Sequence, residues 1–154
     1  MNVELRVNGE TVVREIPDEE LLLDFLRDRL DLKGAKRSCD VQVCGACTVL
    51  VDGEPVSACC TLAAKADGTS VTTIEGLARQ PEFAALEAAF MRHAALQCGY
   101  CTSGMLLTVS SLLAAGELTS AAEVRRSLAG NLCRCTGYKS IVEAVCDFAG
   151  VPAA

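Results

Sequence analysis

The 154 residues contain no tryptophan, and only four phenylalanines, two tyrosines and one histidine. Apolar residues still make up 51% of the chain, so a core exists, but it is built largely from small side chains. No basic excess is present: the formal net charge is −6, and nowhere do aromatic and arginine residues interleave, which argues against a nucleic-acid partner. The opening stretch "MNVELRVNGE" has neither a basic segment nor an apolar run of the kind that begins a secretory signal; it alternates like a strand. The most apolar run, "GMLLTVSSLLAAG" at 104–116, is too short and too rich in Ser and Thr to cross a bilayer. Also missing are a G-x-G-x-x-G or phosphate loop and any histidine or carboxylate pair in a catalytic setting. These absences predict a cytoplasmic chain without direct membrane insertion that performs no bond chemistry on a substrate itself.

What the chain has in excess is cysteine, ten in all. In a reducing compartment such clusters bind metal more often than they form disulfides. The remaining sequence divides in two. In the first half, residues 2–7 alternate as a strand, "NGE" at 8–10 is a hairpin turn and 11–16 alternate again. "PDEELLLDFLRDRL" at 17–30 reads as a helix, with acids in its first turn and Arg27 and Arg29 near its end. "TVLVDGEPVSA" at 48–58 is strand, Asp-Gly turn, strand, and "TSVTTI" at 69–74 is one more strand. After Gly76 the texture becomes helical, over 82–96, 102–116, 120–130 and 138–150. Ser120 with Glu123 makes a capping box, and Gln97 falls at the end of the first of these helices. The expected fold class is α+β, with a small mixed sheet over residues 1–76 and a four-helix bundle over 77–154.

The cysteines form two sets. Cys39, Cys44, Cys47 and Cys59 read C-x4-C-x2-C-x11-C, and the first three have the spacing of plant-type [2Fe–2S] ferredoxins. Zinc sites favour paired C-x2-C knuckles instead. The small residues of "CGAC" leave room for backbone N–H groups to reach the sulfurs. In the second set, "GNLCRCTGY" places Cys133 and Cys135 one residue apart, too close for an unstrained local disulfide, and on a helix they would point to nearly opposite sides. With "QCGYCTSGM" they make C-x2-C-x31-C-x-C from Cys98, Cys101, Cys133 and Cys135. Each pair precedes a helix, whose N-terminus favours an anionic centre. Taken alone, this second set fits iron–sulfur, zinc or a redox-active C-x2-C.

"CGACTV", "LQCGYCTSGM" and "GNLCRCTGY", in this order and separation, resemble the iron–sulfur subunit of the molybdenum hydroxylases: the xanthine dehydrogenase, aldehyde oxidoreductase and carbon monoxide dehydrogenase superfamily. The resemblance runs from about residue 3 to 148. It implies a plant-ferredoxin-like β-grasp domain followed by a helical [2Fe–2S] domain. It also implies an electron-transfer role inside a heterotrimeric oxidoreductase, between molybdopterin on a large subunit and FAD on a medium subunit. Cys39, Cys44, Cys47 and Cys59 would hold the cluster facing the flavin. Cys98, Cys101, Cys133 and Cys135 would hold the one beside the molybdenum cofactor, with Gln97 and Cys135 against the pterin. A free-standing two-cluster carrier or redox sensor is the alternative. In the family pattern S-C-x-T-L-A, "ACCTLA" makes Cys59 the ligand and Cys60 a bystander. Cys146 reads as a small core residue, His93 as part of a helix, and Arg134 as a solvated charge. Three positions depart from the family: Gln42 and Ser38 stand where Gly is usual, and Ser103 where Pro is common. Gln42, inside the ligand loop, leads one to expect a loop of altered shape.

Overall fold

The computed structural model describes residues 1–153. The hairpin of β1 (Asn2–Val7) and β2 (Glu10–Glu15) turns at Asn8 and Gly9, and that of β3 (Thr48–Val51) and β4 (Glu54–Ser57) turns at Asp52 and Gly53. Both turns have positive φ at both residues, the conformation that Asn-Gly and Asp-Gly adopt most readily and whose twist suits a two-residue hairpin. Strand β5 (Ser70–Thr72) joins them in a five-stranded sheet of order β2-β1-β5-β3-β4, parallel only between β1 and β5. Along β1, Val3, Leu5 and Val7 face inward and their neighbours face solvent, which is the period-2 pattern of a half-buried strand. The sheet's core is completed by Leu22, Leu23, Phe25 and Leu26.

Leu22 and Leu23 lie on helix α1, which starts later than the 17–30 pattern predicts. It spans only Leu22–Asp24 before widening into a π-helical segment, Phe25–Arg29. The delay has a long-range cause. The backbone at Glu20–Leu21 is extended and paired with the segment after Cys60: Leu22 N–H donates to Thr61 O at 2.7 Å, and Ala63 N–H to Glu20 O at 2.7 Å. Leu21, held extended by this pairing, becomes the N-cap, its carbonyl accepting from Phe25 N–H at 3.0 Å, so the helix can begin only at Leu22.

The second half starts with α2 (Ile74–Leu77), a short helix the sequence pattern did not reveal, and continues with α3 (Phe83–Arg92), α4 (Thr102–Ala114), α5 (Ala121–Ser127) and α6 (Lys139–Ala149). Ser120 caps α5 as expected, its hydroxyl accepting from Glu123 N–H at 3.3 Å. Helix α3 ends before the predicted 96. Ala94 takes a left-handed φ of +48, turning the chain so that Ala95 N–H reaches Phe90 O at 2.8 Å. Gln97 consequently sits in the loop beyond α3, not at a helix end. Helix α6 packs against α3 and α5, whereas α4 also rests on β3, and Leu50 of that strand belongs to the helical core.

The halves come close together at Gly104 of α4. A Cβ there would stand 2.0 Å from the carbonyl oxygen of Gly45. Backbone cannot yield as a side-chain tip can, so Gly104→Ala should cost at least the roughly 1–3 kcal/mol typical of overpacking. Gly130→Ala meets nothing within 4 Å and should stay within about 0.5 kcal/mol. Denaturation of the two variants, followed by circular dichroism, checks the contrast; equal midpoints would show that the α4 contact gives way freely.

Candidate metal centres

The first group of thiols is built by the β3–β4 hairpin. Cys47 ends the loop that leads into β3, and Cys59 follows β4 after one residue, in a tight turn spanning Ala58–Cys60. Thr48 pairs with Ser57, so the eleven residues between the two cysteines are the hairpin plus Ala58, and the hairpin brings both thiols to its open end. Both are buried in the core of the sheet half. Cys39 and Cys44 complete the group on the loop before β3. The Cys39 sulfur accepts from the N–H groups of Val43 and Cys44, each at 3.4 Å. The Val41 N–H, with these two, pulls the Cys39 thiol down to about 6. Burial, reinforced by the neighbouring Cys59, pushes the Cys47 thiol up to about 12. Asp40 and Gln42 both have positive φ, +54 and +58. Gln42 thus adopts the left-handed backbone that glycine takes readily, with its side chain exposed.

The second group lies at the start of α4 and of α6. Cys101 is the residue that opens α4, a helix of thirteen residues whose first N–H, that of Thr102, donates to Gly99 O at 3.2 Å. Cys133 and Cys135 lie on extended and bending backbone, as C-x-C requires. The Cys135 and Cys98 sulfurs are 3.6 Å apart, and Cys101 lies beside Cys133. Burial opposes ionisation of Cys133, but the Thr136 hydroxyl at 3.1 Å and the Thr136 N–H at 3.4 Å outweigh it and lower the thiol. Burial, with Cys133 adjacent, pushes Cys101 up to about 12. Tyr138, itself at φ +69, fixes the loop: its hydroxyl accepts from Cys133 N–H at 2.9 Å and donates to Asn131 O at 3.2 Å.

All eight predicted thiols thus fall into the two expected groups, and all ten cysteines are free. Within each group the contacts are pairwise: Cys39 with Cys44 and Cys47 with Cys59, Cys98 with Cys135 and Cys101 with Cys133. Among the described residues no three Cys, His, Asp or Glu side chains converge on a single ion. Two pairs of thiols are the donor set for two tetrahedral irons bridged by sulfide. Thiols this close cannot all ionise without a cation, and metal binding supplies the compensating charge. The residues present therefore fit a [2Fe–2S] centre at each site.

The two groups are physically joined, and here sequence reasoning was blind. Leu132 N–H donates to Cys44 O at 2.8 Å, linking the residue before Cys133 to a thiol residue of the other group. Buried Asn131 donates its amide to Gly45 O at 3.2 Å. Ser103 donates to Gly34 O at 2.9 Å, and the Tyr100 hydroxyl to Arg37 O, so α4 and the loop before it grip the segment that leads into Cys39. A polar Asn wedged between Gly130 and Leu132 was the one local signal that could have drawn attention to the joint. Of the left-over residues, Cys146 is fully buried in the helical core, and His93 contacts Asp147 at 3.1 Å. Arg134 and Cys60 are exposed.

Comparison with known proteins agrees with this geometry. Residues 5–73 match the family described as 2Fe-2S iron-sulfur cluster binding domain, and residues 73–146 match the [2Fe-2S] binding domain. The nicotine 6-hydroxylase small subunit of Paenarthrobacter nicotinovorans is 46% identical over 150 residues, covering 97% of this chain and 90% of that protein. The caffeine dehydrogenase subunit gamma of Pseudomonas sp. (strain CBB1) is 44% identical, covering 93% and 87%. Among solved structures, quinoline 2-oxidoreductase from Pseudomonas putida 86 superposes with a TM-score of 0.91 at 45% identity over 97% of this chain and 94% of that one. Aldehyde oxidoreductase from Desulfovibrio gigas superposes with a TM-score of 0.88 at 40% identity, over 97% of this chain but 17% of that longer one. Two domain matches in tandem, nearly full-length identity above 40% and the paired thiols agree: the chain belongs to the small [2Fe–2S] electron-transfer subunits of the molybdenum hydroxylases, the family of xanthine dehydrogenase, aldehyde oxidoreductase and nicotine hydroxylase.

Proposed function

We propose that this subunit carries electrons between molybdopterin on a large subunit and FAD on a medium subunit of a cytoplasmic complex. Cys39, Cys44, Cys47 and Cys59 are the ligands of one cluster, in a domain of residues 1–76. Cys98, Cys101, Cys133 and Cys135 hold the other, in a domain of residues 77–154. The observation that carries this reading is the Leu132 N–H···O=C Cys44 hydrogen bond, which leaves a single non-covalent step between the two ligand sets. When bound, each cluster supplies a one-electron carrier. The protein's own part is to hold the sulfurs, direct N–H and hydroxyl groups at them and fix the two loops together. Among the described residues no helix is long and apolar enough to cross a membrane.

The surface supports two partner contacts. Leu96, Tyr100 and Leu132 are exposed in the loops that bear Cys98 and Cys133, where Cys98, Cys135 and Gln97 are exposed as well. Val41 and Val43 are exposed on the Cys39–Cys44 loop, and Leu62 just beyond Cys59. We place the molybdenum-bearing subunit at the first surface, with Gln97 and Cys135 against the pterin, and the flavin-bearing subunit at the second. An exposed amide such as that of Gln97 can both donate to and accept from a pterin edge, which neither a carboxylate nor a methyl group can do.

The fully loaded protein should contain four irons and four acid-labile sulfides per chain, two for each of its [2Fe–2S] domains. Reduction should give two distinct paramagnetic signals, because donors and burial differ at the two sites. Two irons per chain, or stoichiometric zinc, would refute the two-cluster assignment. Gln97→Ala touches no sulfur and should leave the iron content unchanged. Loss of a buried interfacial hydrogen bond costs roughly 1–3 kcal/mol. The variant complex should accordingly lose molybdenum cofactor on dilution roughly five- to 150-fold more readily, each 1.4 kcal/mol being a factor of ten. Molybdenum analysis after gel filtration checks this, and full retention would remove Gln97 from the pterin contact.

A further inference from the structure

One thiol at the first site is left over by the pairing. Cys60 closes the tight turn Ala58–Cys60 and is exposed, whereas Cys59 is buried. Its sulfur lies 3.7 Å from the Cys59 sulfur and donates to Asp40 O at 3.6 Å, on the loop that begins with Cys39. The Cys60 sulfur would have to travel only that 3.7 Å to take the place of the Cys59 sulfur, from a position over the mouth of the same loop. The turn is pinned at its two ends: Ala58 N–H reaches Cys47 O at 3.4 Å, the Thr61 hydroxyl donates to Ser57 O at 3.0 Å, and Thr61 O accepts from Leu22 N–H at 2.7 Å.

We propose that Cys60 is a reserve ligand of the ferredoxin-domain cluster, able to replace Cys59 on the same iron. The inference rests on Cys59 being a ligand, as assigned above. The exchange needs no oxidant or reductant. The Cys60 thiol gives its proton to solvent as its sulfur binds iron, and the departing Cys59 sulfur takes up a proton. The number of thiolates and the electron count of the cluster stay the same. The swing is confined to the turn between Ser57 and Thr61 and breaks no strand pairing. In the isolated chain Cys60 is also the outermost sulfur of the site, so a chelator that strips Cys59 from the iron meets a second thiol before the cluster opens.

Cys59→Ala, Cys60→Ala and the double variant, each purified as the loaded protein, test the proposal. Cys60→Ala should keep four irons and both native signals. Cys59→Ala should also keep four irons, with the ferredoxin-domain signal shifted and the helical-domain signal unchanged; that second signal reports that the chain has folded. The double variant should keep two irons and the helical-domain signal alone. If Cys59→Ala already falls to two irons, the reserve role is wrong and the assignment of Cys59 stands. If Cys60→Ala falls to two irons while Cys59→Ala is native, the assignment itself is wrong. A double variant that keeps four irons would show that some other donor fills the place, and would refute the proposal. A second measurement needs only the conservative surface variant. Under chelator challenge the ferredoxin-domain absorption of Cys60→Ala should bleach several-fold faster than that of the unmodified protein, and equal rates would refute the reserve role.

Discussion

The arrangement depends on where the peptide groups at Cys44 and Gly45 point. A loop that turns its N–H groups toward sulfur, as Val43 and Cys44 do toward Cys39, turns carbonyls the other way. Those carbonyls need donors once water is excluded. Thr48 meets part of the demand, through its hydroxyl to Gly45 O at 2.8 Å. The rest comes from the helical half: Leu132 N–H to Cys44 O, and the Asn131 amide to Gly45 O. The absence of a side chain at Gly104 lets α4 come close enough to cover the joint. The domain that reads as a separate ferredoxin is thus completed by groups from the other domain, beside one of that domain's own thiols.

The same joint makes the two centres unequal in a useful way. The first places two thiols inside the sheet core, and its strongest charge support comes from main-chain N–H groups. The second leaves Cys98 and Cys135 exposed, and supports Cys133 with a threonine hydroxyl as well as an N–H. Hydrogen bonds to sulfur and solvent exposure are the levers that set cluster potentials. A wire made of two such stations can therefore have different potentials at its two ends without any change in ligand type.

What could be read from the sequence was whatever is enforced locally. Asn8-Gly9 and Asp52-Gly53 specify their hairpins because the turn chemistry alone demands positive φ. Ser120 and Glu123 announce α5 through a hydrogen bond three residues long. The eight thiols were legible because their spacings are those of the elements between them, most plainly the hairpin between Cys47 and Cys59. Long-range pairing was not legible. Glu20 and Leu21 look helical until Thr61 and Ala63 take their backbone groups. The end of α3 was overrun because Ala94, an ordinary helix former, is held in a left-handed turn by the packing of Ala95. Ser103, a departure from the usual proline, has its purpose in Gly34, far away in sequence.

The exposure of the second centre bears on how the subunit works. Cys98 and Cys135 are at the surface of the isolated chain, with their sulfurs in contact and apolar Leu96, Tyr100 and Leu132 around them. Accessible thiolates are the ones open to oxidation and metal exchange. A carrier that diffused between partners would present this surface to solvent for most of its life, and its apolar rim would add an aggregation liability. A subunit in a lasting assembly has neither difficulty, because its partner covers the rim and the sulfurs together. The chain's exposed thiols thus make physical sense as half of an interface, in keeping with relatives that are themselves named as subunits of larger hydroxylases and dehydrogenases.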